Sequence, residues 1–280
     1  MQIGIIGNGF VGKATAVLEG PNIEMLIFDK NPLLCSHPGL TLNDLLSADI
    51  IFISVPTPMN SDKSCDLSIV TAVVQELNEL GYNGYKVIRS TVPVGTSDSL
   101  GCYFMPEFLT EQNYLEDFRQ NPNWIFGKPE NYDSSFENKI NQLFQIANTN
   151  NSILFSKTTF MTNKEAEMVK LFRNCFLATK VSFCNEIYEF CQLKNIDYNT
   201  MKSVACDDSR ITTSHSNVPG PDGNFGYGGT CFPKDTASLL SQMQEVGQKS
   251  LIIHSVIERN DTVDRPEKDW KQNKGRAVNF

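Results

Sequence analysis

The chain opens with the stretch Met1-Gln2-Ile3-Gly4-Ile5-Ile6-Gly7-Asn8-Gly9-Phe10-Val11-Gly12. Its apolar start lacks alternation, which is typical of a buried parallel strand. A G-x-G-x-x-G loop follows, then a helical segment over residues 10–18 and a second apolar run over residues 23–28. Strand, glycine loop, helix and strand in this order predict a βαβ motif that binds a dinucleotide, although a glycine turn in an unrelated βαβ motif is the alternative.

Each glycine of this loop has a predicted task. Gly7 permits a tight turn, Gly9 lets the backbone approach a pyrophosphate, and Gly12 lets the helix pack closely on the strand. Phe10 and Val11 open the helix, whose free N–H groups and dipole attract phosphate. Residues 7, 9, 10, 11 and 12 are therefore predicted to bind the cofactor.

An acidic residue closes the second strand. Asp29 stands 22 residues after Gly7, where a carboxylate accepts hydrogen bonds from the ribose hydroxyls and repels a 2′-phosphate. We therefore expect NAD rather than NADP, a preference that the neighbouring Lys30 tempers.

Strands and helices go on alternating along the first half of the chain. Apolar runs at residues 49–55, 86–89 and 101–104 alternate with helical patterns at 42–46, 67–80 and 136–146. This alternation predicts an α/β, doubly wound parallel sheet, with residues 153–155 as its last strand. Two turns follow strands at their carboxyl ends, where such sheets bind ligands. Cofactor contacts are predicted for Val55, Pro56, Thr57 and Thr91, and plain proline-rich turns are the alternative.

The pattern changes at residue 162. Residues 162–195 contain no Pro or Gly, and Thr162-Asn163-Lys164-Glu165 is a capping box. A helix of that length runs ~50 Å at 1.5 Å per residue, so we expect it to pack against a second subunit. A loop-rich stretch, two further helices (233–246 and 250–261) and a charged tail poor in core residues follow. The predicted domains are an NAD-binding Rossmann-like domain (1–157), a helical dimerisation and substrate domain (158–265) and a tail (266–280).

Two patterns carry chemistry in the second half. Lys170 and Asn174 are four residues apart and share a helix face, where a lysine can move a proton or stabilise an oxyanion. Cys231 follows a glycine run and directly precedes a helix, whose dipole stabilises a thiolate. Lys234 and Asp235 stand close enough to tune its charge, as for a covalent nucleophile. The alternative for Lys170 and Asn174 is a solvent-exposed polar stripe on the helix. The alternative for Cys231 is a structural cysteine in a glycine-rich turn.

Composition excludes several classes of protein. The net charge of -8 without a basic run argues against nucleic acid, and no apolar stretch approaches the ~20 residues that span a bilayer. The eight cysteines form no C-x-x-C, and only three histidines are present. We therefore expect reduced thiols in a cytoplasmic protein and no metal site.

The motifs taken together resemble one family, the UDP-glucose/GDP-mannose dehydrogenases. The resemblance covers residues 3–265 and includes GNGFVG, VPTP, STVPVG, MPEFLTE over 105–111, the 167/170/174 helix face and, most specifically, GYGGTCFPKD over 226–235. It implies NAD-dependent four-electron oxidation of a nucleotide sugar, UDP-glucose to UDP-glucuronate being the expected reaction. It also implies a homodimer formed through the long helix.

The resemblance also implies roles for single residues. Cys231 is the nucleophile of a thiohemiacetal and a thioester, and Glu107 assists the hydrolytic water together with Thr91 and Asp235. Lys170 and Asn174 stabilise oxygen charge. The residues implied to contact substrate are Glu107, Phe108, Leu109, Glu111, Lys170, Asn174, Arg210, Tyr227, Gly228 and Gly229.

The sequence departs from the family in places. It ends soon after the central motifs, so the usual C-terminal nucleotide-binding domain is expected to be absent; Met105 and Trp124 replace the family's usual Asn and Arg. Two other functions stay open. One is a two-domain 3-hydroxyacid-type NAD dehydrogenase, which needs no nucleophilic cysteine, and the other is a non-catalytic protein that binds NAD or a nucleotide sugar.

Overall fold

The computed structural model describes all 280 residues. Its internal contacts divide the chain into two compact units. The first unit comprises residues 1–57 and 67–170, and the second comprises residues 58–66 and 171–280. The boundary thus falls at 170/171, later than the predicted domain boundary at 157/158, and a short early segment joins the second unit. The functions assigned to the domains stay predictions.

A seven-stranded sheet forms the centre of the first unit. Its order is β2-β1-β3-β4-β5-β6-β7; β1 to β5 pair in parallel, β6 runs antiparallel to β5, and β7 is parallel to β6. The strands are β1 Gln2–Ile6, β2 Glu24–Phe28, β3 Ile50–Ile53, β4 Tyr85–Ile88, β5 Tyr103–Phe104, β6 Trp124–Lys128 and β7 Thr158–Thr162. The predicted Rossmann-like fold is confirmed, as a mostly parallel sheet.

Helices cover the sheet on both faces. They are α1 Phe10–Thr15, which a 3₁₀ turn Ala16–Leu18 continues, α2 Ser68–Glu79, α3 Thr96–Ser99, α4 Tyr114–Arg119 and α5 Ser135–Thr149. Neighbouring strand residues pack into opposite apolar clusters: Ile50 and Phe52 lie in one, Ile51 and Ile53 in the other. Burial on both faces explains why these strands read as unbroken apolar runs.

The prediction for residues 153–155 was wrong. Leu154 and Phe155 are 60% and 47% exposed, and the last strand is β7, a few residues later. The threonine-rich β7 pairs with β6, a strand that the sequence reading missed. β-Branched residues fit a half-buried pleated surface, so propensity outweighed local hydrophobicity at this edge.

A single long helix, α6 Asn163–Leu193, begins in the first unit, and its residues from Leu171 onward belong to the second. The predicted capping box is present: the Thr162 backbone N–H and hydroxyl both donate to Glu165 Oε2 at 2.8 Å, and the Glu165 N–H donates back to the Thr162 hydroxyl at 3.3 Å. The second unit continues with α7 Tyr198–Ala205, α8 Phe232–Glu245 and α9 Leu251–Arg259. No helix is long and apolar enough to cross a membrane.

The tail after residue 265 contributes to a core, contrary to the expectation from its charge. Trp270, Ala277 and Val278 are at most 3% exposed and pack with Met59 and Ala237. Backbone hydrogen bonds tie residues 59 and 277–279 together, with the Met59 N–H donating to the Ala277 carbonyl at 2.9 Å. The three apolar residues Trp270, Ala277 and Val278 are scattered among charged ones, so the sequence pattern did not indicate that they pack into a core.

Candidate active site

The glycine loop has the shape that a dinucleotide requires. Gly7 has φ +93° and lies against the backbone of Ser54, while a Cβ on Gly12 would come within 2.0 Å of the Gly7 carbonyl oxygen. A Cβ on Gly9 would meet nothing within 4 Å, so its backbone faces open space. The two constrained glycines close the turn, and the open one leaves room for a pyrophosphate over the start of α1. These residues fit NAD.

The acid after β2 supports the same loop. Asp29 Oδ2 accepts the Asn8 backbone N–H at 2.7 Å, and Oδ1 accepts the Asn31 N–H at 2.8 Å. A carboxylate has about four acceptor positions, so capacity for ribose hydroxyls remains. Lys30 is exposed. Its proximity to the cofactor stays a prediction.

The turns after β3 and β4 lie side by side. The Thr57 hydroxyl donates to the Thr91 carbonyl at 2.7 Å, and the Ser90 hydroxyl donates to the Val55 carbonyl at 2.6 Å. Val55, Thr57 and Thr91 are buried, whereas Pro56 is exposed. The two predicted cofactor turns therefore form one hydrogen-bonded edge at the carboxyl ends of adjacent strands.

A buried ion pair ends the first unit. Lys170 Nζ donates to the Glu107 carboxylate at 2.6 Å and to the Glu107 carbonyl at 2.8 Å, and the other carboxylate oxygen accepts the Leu109 N–H at 2.8 Å. Burial opposes ionisation of Glu107, but Lys170, the Leu109 N–H and the charge of Arg89 hold its pKa below the usual range. The ring of Phe108 lies 5.8 Å from Lys170 Nζ. Glu107 is thus kept as a carboxylate.

The first unit contains two further buried charged side chains. Glu167, which is fully buried, accepts the N–H groups of Gly95 at 2.5 Å and Ser97 at 2.8 Å, although burial raises its pKa. Arg89, 2% exposed, donates to the Thr15 hydroxyl and lies 5.5 Å from the Phe118 ring. Sequence reading missed Arg89, and its place directly before Ser90-Thr91 at a strand end was the available signal.

The second unit contains the cysteine group. Cys231 is the N-cap of α8, and its sulfur lies 3.8 Å from the Thr230 hydroxyl. Asp235 Oδ1 accepts Lys234 Nζ at 2.5 Å, and Oδ2 accepts Asn174 Nδ2 at 2.6 Å. Although burial disfavours the charged form of Lys234, Asp235 and the Cys231 sulfur hold its pKa above the usual range. A cation that is only 13% exposed therefore lies near the thiol.

The remaining predicted substrate residues are spread more widely. Tyr227 is buried, Gly228 half-buried and Gly229 exposed. Glu111 is exposed, and the side chain of Arg210 is 87% exposed and pairs with Asp208. No group of three or more His, Cys, Asp or Glu side chains is arranged to hold a metal ion.

The structure thus assembles the predicted catalytic residues in two groups. Glu107 and Lys170 meet in the first unit; Asn174, Lys234 and Asp235 meet beside Cys231 in the second. Helix α6 links them in sequence, because Lys170 and Asn174 are one turn apart on it. The first group has the residue types for proton transfer, and the second has those for a thiolate nucleophile.

Two profiles of one protein family match the chain. The NAD binding domain of the UDP-glucose/GDP-mannose dehydrogenase family matches residues 41–148, and the central domain of that family matches residues 164–262. A fold of this kind with an NAD binding domain defines a nicotinamide-dependent dehydrogenase architecture. The chain belongs to the UDP-glucose/GDP-mannose dehydrogenase family.

Individual relatives agree with this placement. UDP-glucose 6-dehydrogenase of Pseudomonas aeruginosa is 34% identical, over 93% of this chain and 65% of its own length. That of Rhizobium meliloti is 30% identical over 93% of this chain and 68% of its length, so the chain spans about two thirds of such relatives.

Solved structures share the fold. A UDP-glucose dehydrogenase from Pyrobaculum islandicum, 24% identical, superposes with a TM-score of 0.79 over 93% of this chain and 68% of its own. A 3-hydroxyisobutyrate dehydrogenase from Mycobacterium tuberculosis, 14% identical, gives 0.67 over 94% of this chain and 95% of its own. At these identities the likeness concerns the fold alone.

Proposed function

We propose that this protein is a nucleotide-sugar 6-dehydrogenase that oxidises a C6 alcohol to a carboxylate with two NAD⁺. The observation that carries the proposal is Cys231 at the N-terminus of α8, beside Lys234 and the buried Asp235. An alcohol dehydrogenase that stops at the aldehyde has no use for a nucleophilic thiol. An enzyme that continues to the acid must first convert the aldehyde into a tetrahedral adduct that can lose hydride, and addition of a thiol provides one.

The proposed reaction converts R–CH₂OH, two NAD⁺ and water into R–COO⁻, two NADH and three protons. Bound NAD⁺ supplies the hydride acceptor. Loss of the hydroxyl proton and the first hydride leaves an aldehyde, to which the Cys231 sulfur adds, forming a C–S bond and a thiohemiacetal. Loss of the second hydride and the hydroxyl proton gives a thioester, and water cleaves its C–S bond to release the acid and the thiol.

The ionised groups divide these tasks between them. The Lys234 ammonium stabilises the Cys231 thiolate. Lys170 and Asn174 stabilise the negative oxygen that forms when the thiolate or water adds to the carbonyl. Glu107, held as a carboxylate, accepts a proton from the hydrolytic water, with Thr91 and Asp235 orienting that water.

UDP-glucose is the proposed substrate, and UDP-glucuronate the product. Support comes from the relatives of Pseudomonas aeruginosa and Rhizobium meliloti, which are named UDP-glucose 6-dehydrogenase. Within this chain, the guanidinium of Arg210 is exposed to solvent, and its planar group suits a pyrophosphate. The glycine- and proline-rich loop 218–223 supplies backbone groups for the sugar or base.

The test counts NADH released per sugar consumed, at 340 nm, with UDP-glucose, GDP-mannose and UDP-N-acetylhexosamines. We expect two NADH per UDP-glucose for the wild type and for the control Cys206→Ser, whose thiol is half-buried in the same unit. Cys231→Ser should release at most one. Two NADH per sugar from Cys231→Ser refutes the covalent route, and one NADH per turnover on a small hydroxyacid replaces the proposal with a 3-hydroxyacid-type dehydrogenase. Binding without NADH formation from any sugar replaces it with a non-catalytic role.

We also propose that α6 forms a homodimer. Its second part exposes an aromatic stripe, with 52% to 63% of each ring residue accessible: Phe172, Phe176, Phe183 and Phe190. Their spacings of 4, 7 and 7 place them along one side of the helix, and an exposed apolar stripe of this length is typical of an interface. Sedimentation of Phe183→Glu should give a monomer, whereas Leu33→Glu, which alters an isolated exposed leucine, should sediment like the wild type. A wild type that is monomeric at micromolar concentration refutes the dimer.

A further inference from the structure

The loop that leads to Cys231 is held from behind by an asparagine that follows α9. Asn260 Oδ1 accepts the Tyr227 N–H at 2.8 Å, and Asn260 Nδ2 donates to the Tyr227 carbonyl at 3.0 Å. Asn260 is fully buried. Asn185 Oδ1 accepts the preceding N–H, that of Gly226, at 3.1 Å. Side-chain amides thus bind three backbone groups of two successive residues in this loop.

An arginine fills the space beneath the same loop. Arg265 is 2% exposed, and its guanidinium carbon would lie 2.6 Å from a Cβ on Gly228. Its Nη2 donates to Asp222 in loop 218–223 and to Asp269 Oδ2, the latter at 3.0 Å. One rigid guanidinium therefore contacts the cysteine loop and is ion-paired to the loop proposed to surround the substrate.

The local backbone fits this arrangement. Residues 260–264 form a π-helical turn, a feature that is uncommon and frequent at functional sites. The Arg265 N–H donates to the Asn260 carbonyl at 2.8 Å and closes the turn. Gly226, at φ +64°, leaves no room for a Cβ, which would lie 2.4 Å from Asn260 Oδ1. Gly226 and Gly228 are thus required by the side chains of Asn260 and Arg265, which pack against them.

We propose that Asn260 and Arg265 are positioning residues that fix the cysteine loop 226–231 and link it to loop 218–223. Their side chains hydrogen-bond the backbone of Tyr227 and the carboxylates of Asp222 and Asp269, so they act through the backbone that carries Cys231. The catalytic consequence rests on the proposed function: substitution slows thiohemiacetal formation and the second oxidation, and leaves the first oxidation unchanged. The ion pair with Asp222 couples the position of loop 218–223 to that of the cysteine loop.

The first measurement is independent of any activity. Hydrogen exchange of the peptide that covers residues 223–231 is followed in wild type, Asn260→Asp, Asp222→Asn and the control Lys249→Met. Asn260→Asp keeps the acceptor for the Tyr227 N–H but loses the donor, so the loop amides should exchange about tenfold faster, as expected for one lost net hydrogen bond. Lys249 is exposed between α8 and α9, and its substitution should leave this peptide unchanged. Unchanged exchange in Asn260→Asp overturns the proposal that Asn260 fixes the cysteine loop.

The second measurement separates positioning from general structural damage. Asn260→Asp and Arg265→Lys are each combined with the Cys231→Ser background, in which only the first oxidation is expected. With Cys231 present, we expect the second oxidation to slow about tenfold; in the Cys231→Ser background, the first NADH should form at an unchanged rate at saturating substrate. Equal slowing in both backgrounds overturns the inference. If no nucleotide sugar is oxidised by the wild type, the proposed function fails, while the exchange result still decides whether Asn260 fixes the cysteine loop. Asp222 is 45% exposed, so hydrogen exchange in Asp222→Asn tests the link between the loops even if an Arg265 variant does not fold.

Discussion

Replacing Lys170 by methionine tests how the buried ion pair with Glu107 is sustained. The side chains are 3% and 6% exposed, so solvent cannot compensate a lone carboxylate. Removing one partner of a buried pair costs about 3–5 kcal/mol. Methionine fills most of the lysine volume, and the Leu109 N–H at 2.8 Å still stabilises the carboxylate. We therefore expect the lower end of the range, about 3 kcal/mol of unfolding free energy.

The pH dependence gives the sign of the effect. In the wild type the pKa of folded Glu107 is depressed, so its stabilisation is present above the unfolded pKa of about 4.5 and is lost as pH falls. Without Lys170, burial becomes the dominant influence and the folded pKa rises above the unfolded one. Protonation then relieves the variant as pH falls, so the gap between Lys170→Met and wild type should narrow from pH 7 to pH 5.

The assay uses the two tryptophans, one in each unit. In a Trp270→Phe background, urea unfolding monitored at Trp124, which is 1% exposed, reports on the first unit. Lys164→Met, an exposed lysine on the same helix, is the control and should change the free energy by less than about 0.5 kcal/mol. Glu107→Leu added to Lys170→Met should recover about 2 kcal/mol. A loss below 1 kcal/mol, or a gap that widens toward pH 5, refutes this reasoning.

Three shorter predictions concern caps and glycines. Gly9→Ala should fold normally yet weaken NAD binding in calorimetry. Gly12→Ala, whose Cβ would meet the Gly7 carbonyl, should lower the melting temperature. If the two variants change NAD affinity and melting temperature equally, the roles assigned to these glycines are wrong. Glu167→Gln cannot accept two N–H groups with both head-group atoms and should cost about 1–3 kcal/mol in urea unfolding. Asp197 caps α7, and the backbone of Thr200 holds its pKa below the usual value. Asp197→Ala should therefore lower the melting temperature more at pH 7 than near pH 3, and a pH-independent loss contradicts this.

The first half of the fold was predictable because its signals are local. Buried strands of β1, β3 and β4 read as apolar runs, and the positions of glycine and Asp29 follow from φ angles and strand ends. Helix α6 was predictable from its capping box and from the absence of Pro and Gly over residues 162–195. The strands β6 and β7 escaped because their pairing depends on a distant neighbour, and β7 is threonine-rich rather than apolar.

The candidate site was predictable in its residue types but not in its supports. Lys170, Asn174, Cys231 and Asp235 stand in recognisable spacings. Asn260 and Arg265 lie some 30 residues further on in a segment that reads as a helix end and a charged tail, and only tertiary contact with the glycine loop reveals them. A buried arginine looks like a surface residue in sequence, because its partners Asp222 and Asp269 are separated from each other along the chain.

The nine residues from 58 to 66 belong to the second unit although first-unit sequence lies on both sides of them. Met59 packs with Trp270 and Val278, and Asn279 Nδ2 donates to Asp66 at 2.8 Å, across 213 residues of chain. On the ribosome this segment therefore emerges early and must wait for nearly the whole chain before its partners exist. Met59 therefore has none of its later packing partners during that interval, and the two units cannot be separated by a single cut in the gene.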